Sequence, residues 1–172
     1  SFLSETVLET LYGVFAYCSN LSNIIFPHFI LGDNFKDISF SEAFCGCESL
    51  ASINMSPIEI DVNRSGSINL NKTFCNCKSL VSFSDVLFPQ RFDRAKVTYF
   101  PGAFDGCSSL TSIDLNGFSN VYGNYNNLFN DCSSLTSIDM SMLESAKNLQ
   151  KFFCNCSSLQ NIKLPSLSEI DS

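Results

Sequence analysis

The sequence has no tryptophan, one histidine and only ten lysine and arginine residues among its 172 residues. The basic residues are thinly spread and the formal net charge is −7, which argues against nucleic-acid binding, because that function needs clustered lysine and arginine. No apolar run is long enough to span a membrane, so no transmembrane segment is predicted. The eight glycines are scattered and form no phosphate-binding loop. Nothing marks a cysteine as activated by His28, so neither a catalytic pair nor a cofactor is predicted.

What the sequence has in abundance is repetition. Six segments carry phenylalanine, then cysteine, then leucine, then isoleucine or phenylalanine, at steps of three residues. Counting the repeat cysteine as position 0, the six cysteines are Cys18, Cys47, Cys77, Cys107, Cys132 and Cys156. Such self-similarity predicts that residues 1–172 form a single solenoid of six coils, because one coil cannot bury its apolar side alone. We expect the array to continue beyond Ser172, since the last residues resemble the start of another coil.

The spacing within one repeat predicts its local structure. Apolar residues at positions −7, −4 and −3 lie on one face of about two helical turns that would end at the cysteine. Ser41 and Asn71 stand where helix N-caps would, and Pro101 suits a first helical turn. After the cysteine, apolar residues at +3, +6 and +8 end in strict alternation, which predicts a short strand with one buried face.

The predicted fold class is therefore an α/β repeat solenoid, with short parallel strands on one face and short helical turns on the other. The first three junctions between repeats are about five residues longer than the last two. We expect the extra residues, such as 56–67 and 84–96, to project as loops from one side. If an aromatic hot spot for binding exists, the segment Phe88 to Tyr99 is the first place to look.

The segments AFDGCSSLTSIDL and FFCNCSSLQNIKL resemble the BspA-like leucine-rich repeat family, and they are also similar to repeats of mycoplasma-type surface lipoproteins. The resemblance covers all six copies. It implies a non-catalytic protein at the cell surface or secreted, with a role in adhesion through a protein or glycan ligand, including a host protein. The alternative is a structural spacer or an array that self-associates through its uncapped ends. The family has no fixed functional residues to carry over.

The nine cysteines fall into two groups. The six repeat cysteines occupy inward positions, which predicts a ladder of buried and unreactive thiols. Cys45, Cys75 and Cys154 lie at position −2. Cys45 and Cys75 belong to adjacent coils, so a disulfide between them is geometrically feasible and stays open, whereas the odd total argues against a disulfide framework. No metal is predicted, because Cys-x-Cys is shorter than the usual zinc spacing, and a thiol enzyme using Cys45 or Cys75 is the least favoured hypothesis.

The outward positions +5 and +7 of the predicted strands carry mostly hydroxyl, amide and charged side chains. They supply a candidate ligand-binding face, hereafter the strand face: Asn54, Ser82, Ser84, Ser112, Asp114, Ser137, Asp139, Asn161 and Lys163. Because Asp114 and Asp139 would lie on neighbouring strands, the pair is expected to face water or to meet a cation or basic partner. Asn-x-Ser/Thr sequons, compatible with a eukaryotic surface protein, begin at Asn20, Asn54, Asn63, Asn71 and Asn155.

Overall fold

The computed structural model describes residues 10–31, 37–60, 67–83, 96–115, 121–141 and 145–164. All strand pairs in these ranges are parallel. The strands are β1 Phe29–Leu31, β2 Asp37–Ser39, β3 Ile58–Ile60, β4 Ser67–Asn69, β5 Ser82–Phe83, β6 Lys96–Tyr99, β7 Ser112–Ile113, β8 Val121–Asn124, β9 Ser137–Asp139, β10 Ser145–Asn148 and β11 Asn161–Lys163.

The largest sheet is formed by strands that precede the repeat cysteine. It has five strands in the order β10-β8-β6-β4-β2, one from each of five consecutive repeats. This sheet was not predicted, because each strand has only three or four residues and too little alternation to stand out. The predicted strand after the cysteine is present in the third to sixth repeats, as the pairs β5–β7 and β9–β11. In the first two repeats the corresponding residues 21–26 and 50–55 form no strand, so the prediction is wrong there. A further pair, β1–β3, lies in the first two long junctions.

The residues between the large sheet and the repeat cysteine form turns, and the prediction of two helical turns there is wrong. Each repeat has a left-handed residue at positions −5 and −1, which a right-handed helix cannot accommodate. These residues, with φ between 51° and 76°, are Gly13, Tyr17, Glu42, Gly46, Lys72, Asn76, Gly102, Gly106, Asn127, Asp131, Lys151 and Asn155. The described ranges contain no helix long and apolar enough to cross a membrane.

Hydrogen bonds explain why turns replace the helix. The backbone N–H groups at −5, −3 and −1 donate to carbonyl groups of the next repeat, as Phe44 N does to Thr73 O at 2.9 Å. The N–H groups at −4, −2 and 0 donate to the carbonyl group of the residue three positions earlier in the same repeat, as Ala43 N does to Phe40 O at 3.0 Å. Half of the donors that a helix would use internally therefore hold the repeats together, and the backbone groups of this buried segment are paired.

A side-chain acceptor at position −8 opens most of these turns. Asn69 Oδ1 accepts the N–H of Asn71 at 2.9 Å, and Ser39 Oγ accepts that of Ser41 at 3.2 Å. Equivalent bonds start from Thr10, Asn124 and Asn148. Ser41 and Asn71 are thus the third residues of Asx-type turns and do not cap helices. The repeat with Tyr99 at −8 has Pro101 at −6, which has no N–H and needs no acceptor.

The core is built on a continuous stack of the phenylalanine rings at position −3. Neighbouring rings lie 5.4–5.9 Å apart and within 16° of parallel, in the order Phe15, Phe44, Phe74, Phe104, Phe129 and Phe153. Each ring sits at the same place in its repeat, so stacking the repeats stacks the rings and buries them. The prediction that position −3 faces the core is confirmed for the four central rings, which are fully or almost fully buried.

The repeat cysteines form the predicted buried ladder beside the ring stack. Each thiol from Cys47 onward donates to the carbonyl of the phenylalanine in the preceding repeat, at Sγ–O distances of 3.0–3.2 Å. Cys47, Cys77, Cys107 and Cys132 are buried, Cys156 is partly buried and Cys18 is exposed. The prediction of six buried thiols is therefore wrong for the first repeat and holds only in part for the last, because each end repeat has a neighbour on one side only. Cysteine suits this position because it is small and apolar and still has a weak donor for a carbonyl group with a spare lone pair.

Candidate functional site

The strand face lies on the solvent side of the strands that follow the repeat cysteine. The alternate residues Ile53, Phe83 and Ile138 are buried, which fixes the direction of the polar residues beside them. Ile113 is partly buried, and Ile162 in the last repeat is exposed. Ser84 lies outside the described residues. The other predicted face residues are all exposed, namely Asn54, Ser82, Ser112, Asp114, Ser137, Asp139, Asn161 and Lys163.

Strand register brings these side chains together in pairs. Ser82 is opposite Ser112 in the β5–β7 pair. Ser137 is opposite Asn161, and Asp139 is opposite Lys163, in the β9–β11 pair. Because paired residues of parallel strands point to the same side, each pair presents hydroxyl, amide or charged groups as one surface. The face from the third to the sixth repeat is thus lined mainly by short polar side chains.

Two threonines at position +4, which the sequence analysis did not single out, also tie the repeats together beside this face. Thr111 Oγ1 donates to Val81 O at 3.1 Å, and Thr136 Oγ1 donates to Thr111 O at 3.5 Å. Their signal in the sequence is a polar residue directly after the repeat leucine, at Leu110-Thr111 and Leu135-Thr136, which is equally typical of a solvent-exposed corner. The hydroxyl groups of both threonines are thus engaged by backbone carbonyl groups of the preceding repeat. The serines at +5 are exposed beside them.

The charged side chains at the end of the strand face pair with each other. Lys163 Nζ donates to Asp139 Oδ2 at 2.8 Å, and Ser141 donates to the other oxygen of Asp139. The bond from Lys163, followed by those from Ser141, lowers the pKa of Asp139 from 3.8 to about 2. Both partners of the ion pair are half exposed or more, so solvent screening keeps its contribution to stability small. Asp139 therefore has a basic partner within the chain, Lys163 of the next repeat.

The side chains at position −2 link neighbouring repeats along one edge of the turn segments. Cys45 and Cys75, whose pairing the sequence left open, form a disulfide with their Cα atoms 4.5 Å apart. At the equivalent positions of the fourth and fifth repeats, Asn130 Nδ2 donates to Asp105 Oδ1 at 2.8 Å. Cys154, in the last repeat, is a free and exposed thiol. The same edge is thus closed covalently in one place and by a hydrogen bond in another.

The thiols offer little to a nucleophilic mechanism. Burial, followed by the charge of Cys18, raises the pKa of Cys47 to about 11. Burial raises the pKa of Cys107 well above 9.0, again as the largest cause. Cys45 and Cys75, on which a thiol enzyme would depend, are joined to each other. Since only a thiolate is an effective nucleophile, these residues fit a structural role.

The remaining candidates from the sequence are the single histidine, a metal site and the aromatic segment. His28 is exposed. In the described ranges, no three residues among histidine, cysteine, aspartate and glutamate come together in a way that could hold a metal ion. Most of the segment Phe88 to Tyr99, the candidate hot spot, lies outside the described residues, and only β6 at its end is seen. The exposed aromatic side chains that are seen, Tyr12 and Tyr17, lie on the first repeat.

Comparison with known protein families gives one result. A family model described as BspA type leucine-rich repeat region matches in six copies, over residues 2–80 and 70–172. The comparison with curated proteins finds no match, and neither does the comparison with solved structures. The six copies agree with the six stacked repeats that the ring stack and the cysteine ladder define.

Proposed function

Because the chain belongs to the BspA-type leucine-rich repeat family, we propose that it is a non-catalytic module of a cell-surface or secreted protein, which binds a protein or glycan through its strand face. Members of this family are typically surface-associated and generally not enzymes. The Cys45–Cys75 disulfide supports the location, because disulfides persist in oxidising compartments and are rare in the cytosol. The burial of the four central repeat cysteines, Cys47, Cys77, Cys107 and Cys132, supports a structural role for them.

The observation that carries the proposal is the continuity of the exposed polar surface across consecutive repeats. Ser82, Ser112 and Ser137 occupy the same outward position in three successive repeats, and Asn161 continues the row. The buried residues between them hold the surface rigid, so a ligand would lose little free energy to ordering the protein. Repeat proteins commonly use such extended surfaces for recognition.

The chemistry of the surface indicates the kind of ligand. The row at position +5 consists of uncharged hydroxyl and amide groups, with the exposed carboxylate of Asp114 beside it at +7. The charged pair at the end of the face, Asp139 and Lys163, is already neutralised. Charge attraction is therefore a minor contribution, and hydrogen bonds from short side chains dominate. Such a surface suits a ligand with many evenly spaced hydrogen-bonding groups, either an extended backbone or a glycan. An ionic ligand such as nucleic acid would find little to bind.

The test is a binding screen against extracellular-matrix proteins, glycans and host-cell extracts with the wild-type chain and a face variant. The variant Ser112→Arg/Ser137→Arg places two long charged side chains at the centre of the strand face, where both serines are exposed. We expect affinity to fall about tenfold or more, because the bulk of both side chains would displace a ligand from this surface. A matched control is Ser157→Arg, at an exposed corner away from that face.

The outcomes separate the proposal from its alternative. Binding that both arginine variants retain would reject the strand face and direct attention to the junction segments. If the wild-type chain binds no component and sedimentation shows concentration-dependent assembly, the spacer or self-associating array is the better description. Circular dichroism and a thermal unfolding midpoint measured on each variant make sure that loss of binding is not loss of structure.

A further inference from the structure

The sequons are the one group of motifs that the proposed function leaves unexplained. Four of the five lie in described ranges, at Asn20, Asn54, Asn71 and Asn155. A sequon in a folded glycoprotein needs an asparagine amide nitrogen that can carry a sugar, so the surroundings of Nδ2 distinguish the four. They fall into two clear pairs.

In one pair the amide nitrogen is engaged by the neighbouring repeat. Asn155 Nδ2 donates to Asp131 Oδ1 at 2.6 Å. Asn71 is half-buried, and its Nδ2 lies 3.5 Å from Ser41 Oγ. The hydroxyl residue of the same sequon, Thr73, is completely buried, and its Oγ1 donates to Phe40 O at 3.1 Å. A sugar on either asparagine would replace one of the two amide hydrogens and would lie against the contacts that join adjacent repeats.

In the other pair no neighbouring repeat engages the amide nitrogen, among the residues that the structure describes. Asn20 and Asn54 are exposed, and none of the described groups accepts a hydrogen bond from either Nδ2. Asn54 is held in place from two sides. Its Oδ1 accepts the backbone N–H of Ser56, the hydroxyl residue of its sequon, at 2.9 Å, and Met55 between them is completely buried. This turn fixes the amide oxygen toward the chain and leaves the nitrogen outward.

We propose that Asn20 and Asn54 are N-glycosylation acceptors and that Asn71 and Asn155 are not. The proposal rests on the secretory location in the proposed function, which the Cys45–Cys75 disulfide supports independently of the sequons. The co-substrate is an oligosaccharide linked to a lipid pyrophosphate. The asparagine nitrogen attacks C1 of the first sugar, an N–C bond forms, and the C–O bond to the pyrophosphate breaks. The lipid pyrophosphate leaves with the electron pair, and the amide loses one proton.

Glycosylation at Asn54 would also limit the binding surface. Asn54 stands at the outward position +7 of the second repeat, at one end of the strand face. A glycan is bulky and strongly hydrated, so it would shield this end. The third to sixth repeats, from Ser82 to Lys163, would remain accessible to a ligand. Asn54 would thus mark the edge of the strand face and take no part in binding.

The experiment expresses the 172-residue chain in a glycosylating eukaryotic host, with an added secretion signal and a C-terminal reporter sequon. All variants carry Asn63→Gln, so that only the four described sequons are compared. Secreted, folded protein is treated with a peptide N-glycosidase, which converts each occupied asparagine to aspartate, and peptide mass spectrometry assigns the sites. Asn20→Gln and Asn54→Gln should each remove one glycan, while the matched controls Asn71→Gln and Asn155→Gln should remove none.

The result is decisive in either direction. Occupancy of Asn20 and Asn54 in most secreted molecules, with Asn71 and Asn155 unmodified, supports the proposal. An occupied reporter beside empty Asn20 and Asn54 overturns it, and so does equal occupancy of all four sites in folded protein. Because the secretion signal is supplied, failure here does not bear on the natural location of the chain. The binding screen tests the strand face separately.

Discussion

Phe104 occupies the centre of the ring stack and gives the sharpest test of the fold. Its side chain is completely buried. The ring stacks on Phe74 at 5.5 Å and on Phe129 at 5.7 Å, and it meets the edge of Phe83 at 5.0 Å. The substitution Phe104→Ala would leave a cavity that these rings cannot fill, because each is held by the turn of its own repeat.

The expected loss of stability follows from these contacts. Replacing a core phenylalanine with alanine costs about 3–5 kcal/mol of unfolding free energy. With Phe100 at 6.1 Å, Phe104 has four aromatic contacts. Each is worth about 0.5–1.5 kcal/mol beyond simple burial, which places Phe104 in the upper half of that range, at about 4–5 kcal/mol. The backbone carbonyl of Phe104 would still accept the Cys132 thiol, now at 3.2 Å, so the loss belongs to the ring.

Urea unfolding followed by circular dichroism measures this loss, provided that the slope m is the same in both proteins. The matched control is Phe153→Ala in the last repeat. Phe153 is only partly buried and stacks on a single repeat neighbour, Phe129, at 5.9 Å. We expect it to cost about half as much, about 2 kcal/mol. A loss below about 1 kcal/mol for Phe104→Ala, or a loss no larger than that of Phe153→Ala, would refute the stacked-ring core.

Three further predictions concern the cysteines and the ion pair. Cys45→Ser/Cys75→Ser should lower stability by about 4 kcal/mol, because the disulfide closes a loop of 30 residues in the unfolded chain; equal unfolding midpoints would contradict this. NMR titration should find a pKa of about 2 for Asp139 and a return toward 3.8 in Lys163→Met. Since folding lowers this pKa, its stabilising effect is complete above the unfolded value and is lost as the pH falls through about 2; an unchanged pKa in the variant would reject the pairing. Cys107 should resist alkylation in the folded protein and react rapidly in urea, and fast labelling of the native chain would show that the ladder is open.

The inward positions of the repeat could be predicted because burial leaves a local signature. Phenylalanine at the position of Phe104 and cysteine at the position of Cys107 recur in every repeat. Such periodicity predicts buried side chains whether the backbone forms a helix, a strand or turns. The strand after the cysteine was predicted for the same reason, since Ile138 lies between Ser137 and Asp139 in strict alternation. The polar strand face followed directly from the residues that alternate with the buried ones.

The turn segment shows where prediction from the spacing of residues within one repeat fails. Spacings of three and four residues bring side chains to one face in a helix, and they do the same in the stacked turns. What separates the two is the partner of each N–H group, and the partners of Phe44 and Gly46 lie in the next repeat. A usable signal was present, because glycine and asparagine, which tolerate left-handed backbone, recur at position −1 in Gly46, Asn76 and Gly106.

The sequence by itself determined the repeat, its inward residues, its polar face and its family, because these depend on residue type and spacing along one chain. Only the tertiary structure decided which residues of different repeats meet. It joined Cys45 to Cys75 and paired Asp139 with Lys163. It also engaged Nδ2 of Asn155 with Asp131, whereas Nδ2 of Asn54 has no acceptor among the described residues. The partners are 24 or 30 residues apart, and their contacts depend on how consecutive repeats stack in register, a relation that the pattern within one repeat does not contain.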